Sequence, residues 1–201
     1  MAPNHPCTPL TKIRRKDRAK GDTWIQAFLH RAPYGTMATC EDEQPFLVMR
    51  NFVYDEVRHA LYLHGARKGR THDNVTANPR VCFSASEMGR LLGADKAQNV
   101  SVEYASVVVF GTATLITDPE EALHGLTLLL KKYFPHLAPD GEPSPLTANA
   151  IRSTAVYRID IQSWSGKENK VAAEFPLAFD FKPGVNTIHD TQRASNDSAS
   201  Q

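Results

Sequence analysis

The chain has 201 residues, 41% hydrophobic and 22% charged, a balance typical of globular proteins that bury a sizeable core. Its 23 basic and 22 acidic residues give a net charge of +1, so no overall field would recruit nucleic acid or an acidic membrane surface. The longest apolar runs are too short to span a bilayer, the first residues do not fit a secretory signal, and Cys7, Cys40 and Cys82 form no CxxC pair. These features predict a soluble, cytoplasmic protein.

The first part of the chain predicts a loose leader, one helix and several closely spaced strands. Residues 1–11 are rich in proline and show no periodicity. Asp22 is placed to cap a short helix, in which Trp24, Ile25, Phe28 and Leu29 share one face. Three strand-like segments joined by polar turns follow, and they predict an antiparallel meander: residues 34–40, 46–55 and 60–65.

The middle of the chain predicts a helix and two strands. Residues 69–79 predict a short helix that ends at Asn78-Pro79, and residues 80–86 predict a strand. Residues 88–100 read as a loop. Residues 101–118 predict a long strand in which Gly111 marks a bulge or a bend.

The last part of the chain predicts a second helix, a final strand and a polar tail. Asp118, a proline and two glutamates open a helix that runs to about Phe134, with its inward face formed by Leu123, Leu126, Leu130 and Tyr133. Residues 153–167 predict the last strand, and residues after about 185 have the composition of a disordered tail. About six antiparallel strands with inserted helices predict an α+β protein built on a small β-barrel.

Residues 64–70 (HGARKGR) are the densest candidate site. The segment lacks the Lys-Ser/Thr of a phosphate-binding P-loop, and no strand is followed by GxGxxG. If Gly65 ends a strand and Gly69 begins a helix, main-chain N–H groups and cations converge into an anion-binding corner. A basic turn facing water remains an equal alternative. The scattered histidines and cysteines predict no metal site, and Cys82 fits a small buried residue better than a nucleophile.

Two further groups of residues leave alternatives open. The basic segment 12–20 fits either a flexible arm or a ligand contact. Trp164, with Lys167 shortly after it, fits either a core aromatic followed by a turn or a lid over a ring. The long strand 101–117 is apolar on both faces, and a small barrel covers only one of them. A second copy of the chain would cover the other, which predicts a homodimer.

Several segments, taken in order, resemble the FMN-binding proteins related to pyridoxamine 5′-phosphate oxidase, and are most similar to the branch that includes the 5-nitroimidazole-resistance proteins. The resemblance covers residues 12–168, with 169–201 as an extension outside it. Its motifs are RRKDR (14–18), YGTMAT (34–39), QPFLVMRNFVYD (44–55), LYLHGARKGR (61–70), NPRVCFS (78–84), EYASVVVFGTATLITDPEE (103–121) and SWSGK (163–167).

The resemblance implies a six-stranded split β-barrel homodimer with peripheral helices and one FMN in each of two clefts between the subunits. The ring would be edged by Met49, Arg50, Asn51 and Phe52. The phosphate would be held by His64, Gly65, Ala66, Lys68 and Arg70. The cleft would be lined by Tyr104, Ser106 and Val107, and closed by Trp164 and Lys167.

The implied function is that of an FMN-dependent oxidoreductase, with a donor such as NAD(P)H and a nitro-aromatic or quinone-like acceptor. No protein acid or base stands out, which fits chemistry carried by a flavin. The alternatives are a flavin- or haem-binding carrier or sensor without turnover, and an oxidase of the pyridoxamine 5′-phosphate type. The last is disfavoured because the C-terminal residues lack the arginines of the true oxidase.

Overall fold

The computed structural model describes residues 10–137 and 146–183. The chain divides into two compact units. The first, here called the barrel unit, consists of Met1–Glu87 and Ala105–Glu168, and the second unit consists of Met88–Tyr104 and Asn169–Gln201. Most of the leader and the tail beyond residue 183 lie outside the described residues. None of the helices within the described residues is both long enough and apolar enough to cross a membrane.

Strands make up most of the described chain. In order they are β1 (Ala19–Lys20), β2 (Gly35–Glu41), β3 (Gln44–Arg50), β4 (Phe52–Asp55), β5 (Ala60–Gly65), β6 (Arg80–Leu92), β7 (Ser101–Leu115), β8 (Ala155–Asn169) and β9 (Ala178–Phe179). The helices are α1 (Asp22–Arg31), α2 (Arg70–Ala77), α3 (Pro119–Tyr133) and α4 (Ala148–Ser153). The predicted α+β class with an antiparallel sheet is confirmed.

The barrel closes at Asn51, the single residue between β3 and β4. The strand order is β3-β2-β6-β7-β8-β5-β4, so these two consecutive strands lie at opposite ends of the sheet. One residue spans only a few ångströms, and the sheet must therefore curve until its two edges meet. The prediction of one strand over 46–55 is corrected, because Asn51 separates β3 from β4. The antiparallel pairings of the predicted meander are found, with β2 paired to β3 and β4 paired to β5. Counted as one interrupted stretch, β3 and β4 give the six long strands expected, and the two-residue strands β1 and β9 are additional.

The barrel unit buries two apolar clusters, one on each face of the strands that α3 covers. The interior is filled from α1 and the inward faces of the strands, including Phe28, Phe52 and Phe83. The second cluster lies under α3 and contains Tyr62 and Leu129. Strands β4 and β5 are therefore buried on both faces, which explains why their sequences show no polar alternation.

The face that α3 buries agrees with the prediction at Leu126 and Tyr133, which pack against the second cluster, but not at Leu123. Asp118 caps the helix as expected, accepting from the N–H groups of Glu120 and Glu121. Leu123, predicted to face inward, is 39% exposed. The buried face contains Gly125, where an added Cβ would lie 2.7 Å from Cδ1 of Tyr62. A larger side chain at this position would hold α3 away from Tyr62 on β5. The closest approach of the helix to the sheet is therefore made at a glycine.

Two local predictions also need correction. Asp22 does not cap α1, which begins after Gly21; its carboxylate instead accepts from the indole N–H of Trp164 at 2.8 Å. Strand β7 continues through Gly111 without a bulge, and a Cβ there would collide with the carbonyl oxygen of Asp160 on β8. The glycine thus serves a close approach between strands.

The second unit contains part of the segment predicted as a loop. Strand β6 continues to Leu92 instead of ending near residue 86, and β9 pairs with its last residues. Arg90 anchors this unit: it forms an ion pair with Glu103 at 2.9 Å and donates to the carbonyl oxygens of Ala172 and Ala173. Hydrogen bonds from Arg90 and from the N–H of Val171 lower the pKa of Glu103 to about 2.

Candidate functional site

The predicted anion-binding corner forms where β5 ends at Gly65 and α2 begins at Arg70. Gly69 has φ +105° and ψ 175°, a backbone conformation that only glycine adopts readily. Its carbonyl oxygen accepts from the N–H groups of His72 and Asp73 at 2.8 and 3.1 Å. The N–H groups of Arg70 and Thr71 precede the first of these hydrogen bonds, and the helix contains no carbonyl oxygen that could accept from them. The corner therefore presents main-chain donors at the positive end of a helix.

Arg50 reaches this corner from the end of β3. Its Nη2 donates to Oγ1 of Thr71 at 3.1 Å, and a Cβ added to Gly65 would lie 3.5 Å from its Nη1. The absence of a side chain on Gly65 therefore leaves room for the guanidinium. The resemblance implied that Arg50 edges a ring, whereas the structure brings it to the predicted phosphate position.

The remaining cations of the corner face outward. Arg67, Lys68 and Arg70 are exposed, and in the part of the chain that the structure describes no carboxylate forms an ion pair with them. The Arg70 guanidinium lies 5.3 Å from the ring centre of Phe46 on β3. Tyr157 lies beside the corner. Burial raises its pKa, although the positive charges of Arg50 and Arg67 act to lower it. Positive charge thus gathers here without internal compensation.

The other residues predicted to edge a ring are only partly available. Met49 is 65% exposed and Asn51 is also exposed, its amide donating to the carbonyl oxygen of Pro33 at 3.3 Å. Phe52 is completely buried in the barrel core, so only its main chain is open to a ligand. Of this group, the side chains of Met49 and Asn51 remain accessible.

His64 lies on the opposite face of β5 from the corner. Alternation along the strand places its side chain on the same face as Tyr62, under α3, whereas Gly65 shares the face of Leu63, which belongs to the barrel core. The imidazole lines a cavity of about 460 Å³ beside α3. Burial, followed by the positive charge of Arg50, lowers the pKa of His64. The structure therefore separates His64 from the neighbouring residues with which it was predicted to act.

The predicted cleft residues on β7 differ in accessibility. Val107 is fully buried, so its side chain cannot line a cleft, while Ser106 is half-buried on the outer face. Tyr104 belongs to the second unit.

Trp164 and Lys167 lie at the far end of β8. Gly65 pairs with Ala155, and Trp164 follows nine residues later, which corresponds to roughly 30 Å along an extended strand. Trp164 packs against His59 and Tyr54, with ring centres 4.6 and 5.9 Å away. Within one chain, these two residues are therefore not brought to the corner.

A second group of charged residues, here called the α3 network, was not found from the sequence. Its members are Asp55, Arg58, Tyr62, Glu121, His124, Arg158 and Asp160. Glu121 accepts from Tyr62 at 2.8 Å and from Arg158 at 2.6 Å, and Asp55 lies 2.7 Å from Nε2 of His124. Burial opposes ionisation of Asp55, but hydrogen bonds from His124 and the Arg58 N–H prevail and lower its pKa. The only sequence signal was an acidic first turn on α3.

Metal and thiol chemistry find little support among the described residues. They contain no cluster of three or more histidine, cysteine or acidic side chains placed to hold a metal ion. Cys40 and Cys82 are free and half-buried, and burial raises the pKa of the Cys82 thiol, which disfavours the reactive thiolate.

Several solved structures share this fold. A flavocytochrome from Azotobacter vinelandii has a TM-score of 0.72 and 22% identity, covering 87% of this chain and 86% of its own. An FAD and haem binding protein from Mycobacterium smegmatis has a TM-score of 0.69 and 17% identity, covering 84% and 90%. A Bacteroides thetaiotaomicron protein described as a 5-nitroimidazole antibiotic resistance protein has a TM-score of 0.63 and 22% identity, covering 75% and 86%.

The sequence comparisons identify a family but no characterised near relative. A search among curated proteins finds no match. The family model described as pyridoxamine 5′-phosphate oxidase matches residues 22–168, which are most of the chain and include both the corner and the far end of β8. The resemblance drawn from the sequence motifs is thereby confirmed, and the chain belongs to the pyridoxamine 5′-phosphate oxidase-like family.

Proposed function

We propose that the protein binds FMN, with the phosphate at the corner between β5 and α2, and acts as a flavin-dependent oxidoreductase. The observation that carries this proposal is the corner itself. Arg50 reaches a helix start whose first N–H groups have no partner within the helix, and the exposed cations Lys68 and Arg70 flank Gly69 in the sequence. A phosphate monoester carries close to two negative charges near neutral pH and accepts several hydrogen bonds, so its chemistry matches these donors.

The corner passes a test of fit on its own geometry. Its donors are guanidinium, ammonium, hydroxyl and main-chain N–H groups, and Asp73 is the one acid in the first turn of α2. At Gly65, an added Cβ would occupy space directly beside the Arg50 guanidinium. At Gly69, the main chain is open, with no atom within 4 Å of the Cβ position. An anion can therefore approach the main chain closely.

Proteins of similar fold support a flavin rather than another phosphate compound. They include the flavocytochrome, the FAD and haem binding protein, and an FAD-binding protein from Mesorhizobium loti with a TM-score of 0.55. We favour FMN over FAD because Arg50, Lys68 and Arg70 all belong to one corner, which suits a terminal phosphate. The resistance protein among these structures favours a nitro-aromatic or quinone-like acceptor.

In this proposal the chain's own residues bind and orient, and the flavin supplies the electron transfer when bound. Arg50, Lys68 and Arg70 fix the phosphate by charge-assisted hydrogen bonds. Met49 and Asn51 present accessible side chains next to the corner. NAD(P)H remains the proposed donor.

The proposed assembly is a homodimer. The outer face of β2, β3, β6 and β7 carries partly or fully exposed apolar side chains, including Ala38, Leu47, Cys82, Val108 and Phe110. Contact with a second copy would remove this apolar surface from water. A second copy would also allow the far end of β8, with Trp164 and Lys167, to approach the corner of the first.

The cofactor proposal is tested with the purified full chain. We expect a flavin absorption spectrum without a haem Soret band, and chromatography of the released cofactor should identify FMN. Addition of NAD(P)H should bleach the spectrum, and a nitro-aromatic or a quinone should restore it. A colourless protein that fails to bind added FMN would contradict the proposal, and released FAD would correct the identity of the cofactor.

The assembly proposal is tested by light scattering at micromolar concentration. The wild type should have twice the mass of one chain, and Val108→Lys should give monomers because it places a charge within the contact. Val57→Lys is the matched control, since Val57 is 96% exposed and lies in a turn away from this face. A wild-type monomer, or equal effects of both variants, would overturn the homodimer.

A further inference from the structure

The cavity beside α3 has the size of a binding site for a small organic molecule. Its volume is about 460 Å³, and its walls come from α3, α4, the end of β5 and the break after β3. Protein interiors leave few voids larger than a water molecule, whereas small-molecule sites occupy roughly 300–1,000 Å³. The cavity is partly open to solvent, and its volume lies within the range of small-molecule sites.

The lining of the cavity is mostly apolar, with Asn51, His64, Tyr133 and Thr154 as its polar side chains. Leu126, Leu130 and Phe134 come from α3 or the residue after it, and Ala150 lies on α4. Of its ten lining residues, none carries a fixed charge. A ligand with a carboxylate, a phosphate or an ammonium group would lose its hydration here without gaining a partner of opposite charge. The lining thus selects neutral molecules.

The wall formed by α3 is held in place before any ligand arrives. The hydroxyl of Tyr133, which also lines the cavity, lies 2.7 and 2.8 Å from the carbonyl oxygens of Pro33 and Phe52 and accepts from the Phe52 N–H. Gly125 lets the helix pack directly against Tyr62. A wall fixed in this way avoids the ordering cost that a mobile wall would impose on binding.

His64 supplies a hydrogen-bond donor at the rim, where part of its side chain is exposed. Partial desolvation and the nearby positive charge of Arg50 lower its pKa, which favours the neutral imidazole with one N–H. Within the described part of the chain, the His64 ring forms no hydrogen bond with protein. A neutral donor in an apolar wall matches a ligand that carries one acceptor, such as a carbonyl oxygen.

We propose that this cavity binds a neutral aromatic ketone or a similar planar molecule, with His64 donating to its carbonyl oxygen. His64 points away from the anion-binding corner, because successive residues of β5 face opposite sides and Gly65 is on the side of the corner. The cavity shares Asn51 with the residues that lie next to the corner. Binding here does not depend on the proposed flavin.

The test uses three probes of one shape: 9-fluorenone, fluorene, which lacks the carbonyl, and 9-fluorenone-2-carboxylate, which carries a charge. Equilibrium dialysis measures their binding to the full chain, both stripped of cofactor and with FMN added. We expect fluorenone to bind about fivefold more tightly than fluorene, as one neutral hydrogen bond provides. The carboxylate should bind most weakly, and added FMN should leave this order unchanged.

Two variants locate the site. Ala150→Trp places an indole in the cavity and should weaken fluorenone at least about tenfold, because the indole fills part of the space that fluorenone would occupy. Asn149→Trp adds the same ring to the exposed side of α4 and should leave binding unchanged. His64→Phe should abolish the preference for fluorenone over fluorene while fluorene itself still binds.

Several results would overturn the inference. Absence of fluorenone binding, unchanged binding in Ala150→Trp, or a ketone preference that survives in His64→Phe would each do so. Tight binding of the carboxylate would show that the uncharged lining does not select the ligand. Failure of the protein to bind FMN would contradict the proposed function but would leave this inference standing.

Discussion

The barrel unit contains two clusters of charged side chains, and they differ in how their charges are compensated. In the α3 network, Glu121 and Asp160 share Arg158, with N–O distances of 2.6 and 2.8 Å. At the corner, Arg67, Lys68 and Arg70 are adjacent in the sequence, and the described residues offer them no carboxylate within ion-pairing distance. One cluster is complete within the protein, and the other lacks its counter-charge.

This difference separates a structural role from a ligand-binding role. Charges that pair within the protein offer little to a ligand, and removal of one partner leaves the other without its counter-charge, which destabilises the fold. Cations of one sign beside free main-chain N–H groups repel each other, and a bound anion would relieve that repulsion. The comparison therefore predicts that mutations in the α3 network alter stability, and that mutations in the corner alter ligand affinity.

The largest expected effect is on stability, from Glu121→Ala. This change leaves the buried Tyr62 hydroxyl and the Arg158 guanidinium without their shared acceptor, at a cost of about 3 kcal/mol in the free energy of unfolding. Urea denaturation measures the loss. Glu120→Ala, one residue earlier and exposed, should cost only a few tenths of that value. Equal losses would show that helix charge, and not the network, is responsible.

The next effect is on FMN affinity, from single replacement of Arg50, Lys68 or Arg70 by alanine. Each should weaken FMN by about 10- to 100-fold, as expected for a charge-assisted hydrogen bond of about 1.5–3 kcal/mol. Riboflavin, which lacks the phosphate, should be nearly unaffected, and the losses should shrink as salt rises. Fluorescence titration with both flavins provides the measurement.

Lys16→Ala is the control for these corner variants, because Lys16 is an exposed cation in the basic segment near the N-terminus. If it weakens FMN as much as the corner variants do, the basic arm is the ligand contact. Equal loss of FMN and riboflavin in the corner variants would assign those residues to the ring or to the fold.

A single half-buried cation, Lys132, provides an intermediate case. Its ammonium donates to the carbonyl oxygen of Leu29 at 3.2 Å and lies 4.1 Å from the ring centre of Phe52, and burial lowers its pKa to about 8. Between this value and the usual 10.5, the unfolded chain binds more protons, so stability rises with pH across that range. Lys132→Met should stabilise the protein by about 1–2 kcal/mol at pH 7, after allowance for solvent screening.

The pH profile tests this interpretation of Lys132. The advantage of Lys132→Met in thermal unfolding should diminish as the pH rises from 8 toward 10.5, because the wild-type lysine then loses its proton. An advantage that is independent of pH would assign the gain to packing, and a loss of stability at pH 7 would show that the bond to Leu29 outweighs burial.

The smallest expected effect comes from Asp118→Ala at the start of α3. The Asp118 carboxylate accepts from Glu120 and Glu121 N–H groups at 3.4 and 3.0 Å, and its removal should cost about 1 kcal/mol. The melting temperature should fall by a few degrees, with no change in the FMN to riboflavin ratio. A change in that ratio would link α3 to the corner and weaken the distinction between the two clusters.

Features set by neighbouring residues were predictable from the sequence. The Asp-Pro-Glu-Glu start of α3 and the stop of α2 before Pro79 depend on local chemistry, and both are found. The corner was also visible, because its glycines and cations lie within seven residues. The family resemblance came from motifs of the same short range.

Features set by distant residues were not predictable in this way. Closure of the barrel at Asn51 follows from strand order, and strand order depends on pairings between residues far apart in the chain. The same closure turns Arg50 toward the corner. The α3 network joins residues from β4, β5, α3 and β8, so no segment of the sequence displays it. Charge pairs across such distances leave no periodic pattern.

The two tryptophans of the chain report on the same part of the barrel unit. Trp24 belongs to α1 and stacks on Phe28 with ring centres 5.2 Å apart, and Trp164 donates to Asp22 at the start of α1. Indole emission therefore follows the docking of α1. In the proposed homodimer this end of one copy approaches the corner of the other, so a flavin bound there would quench the emission by energy transfer, and quenching would report cofactor binding and assembly together.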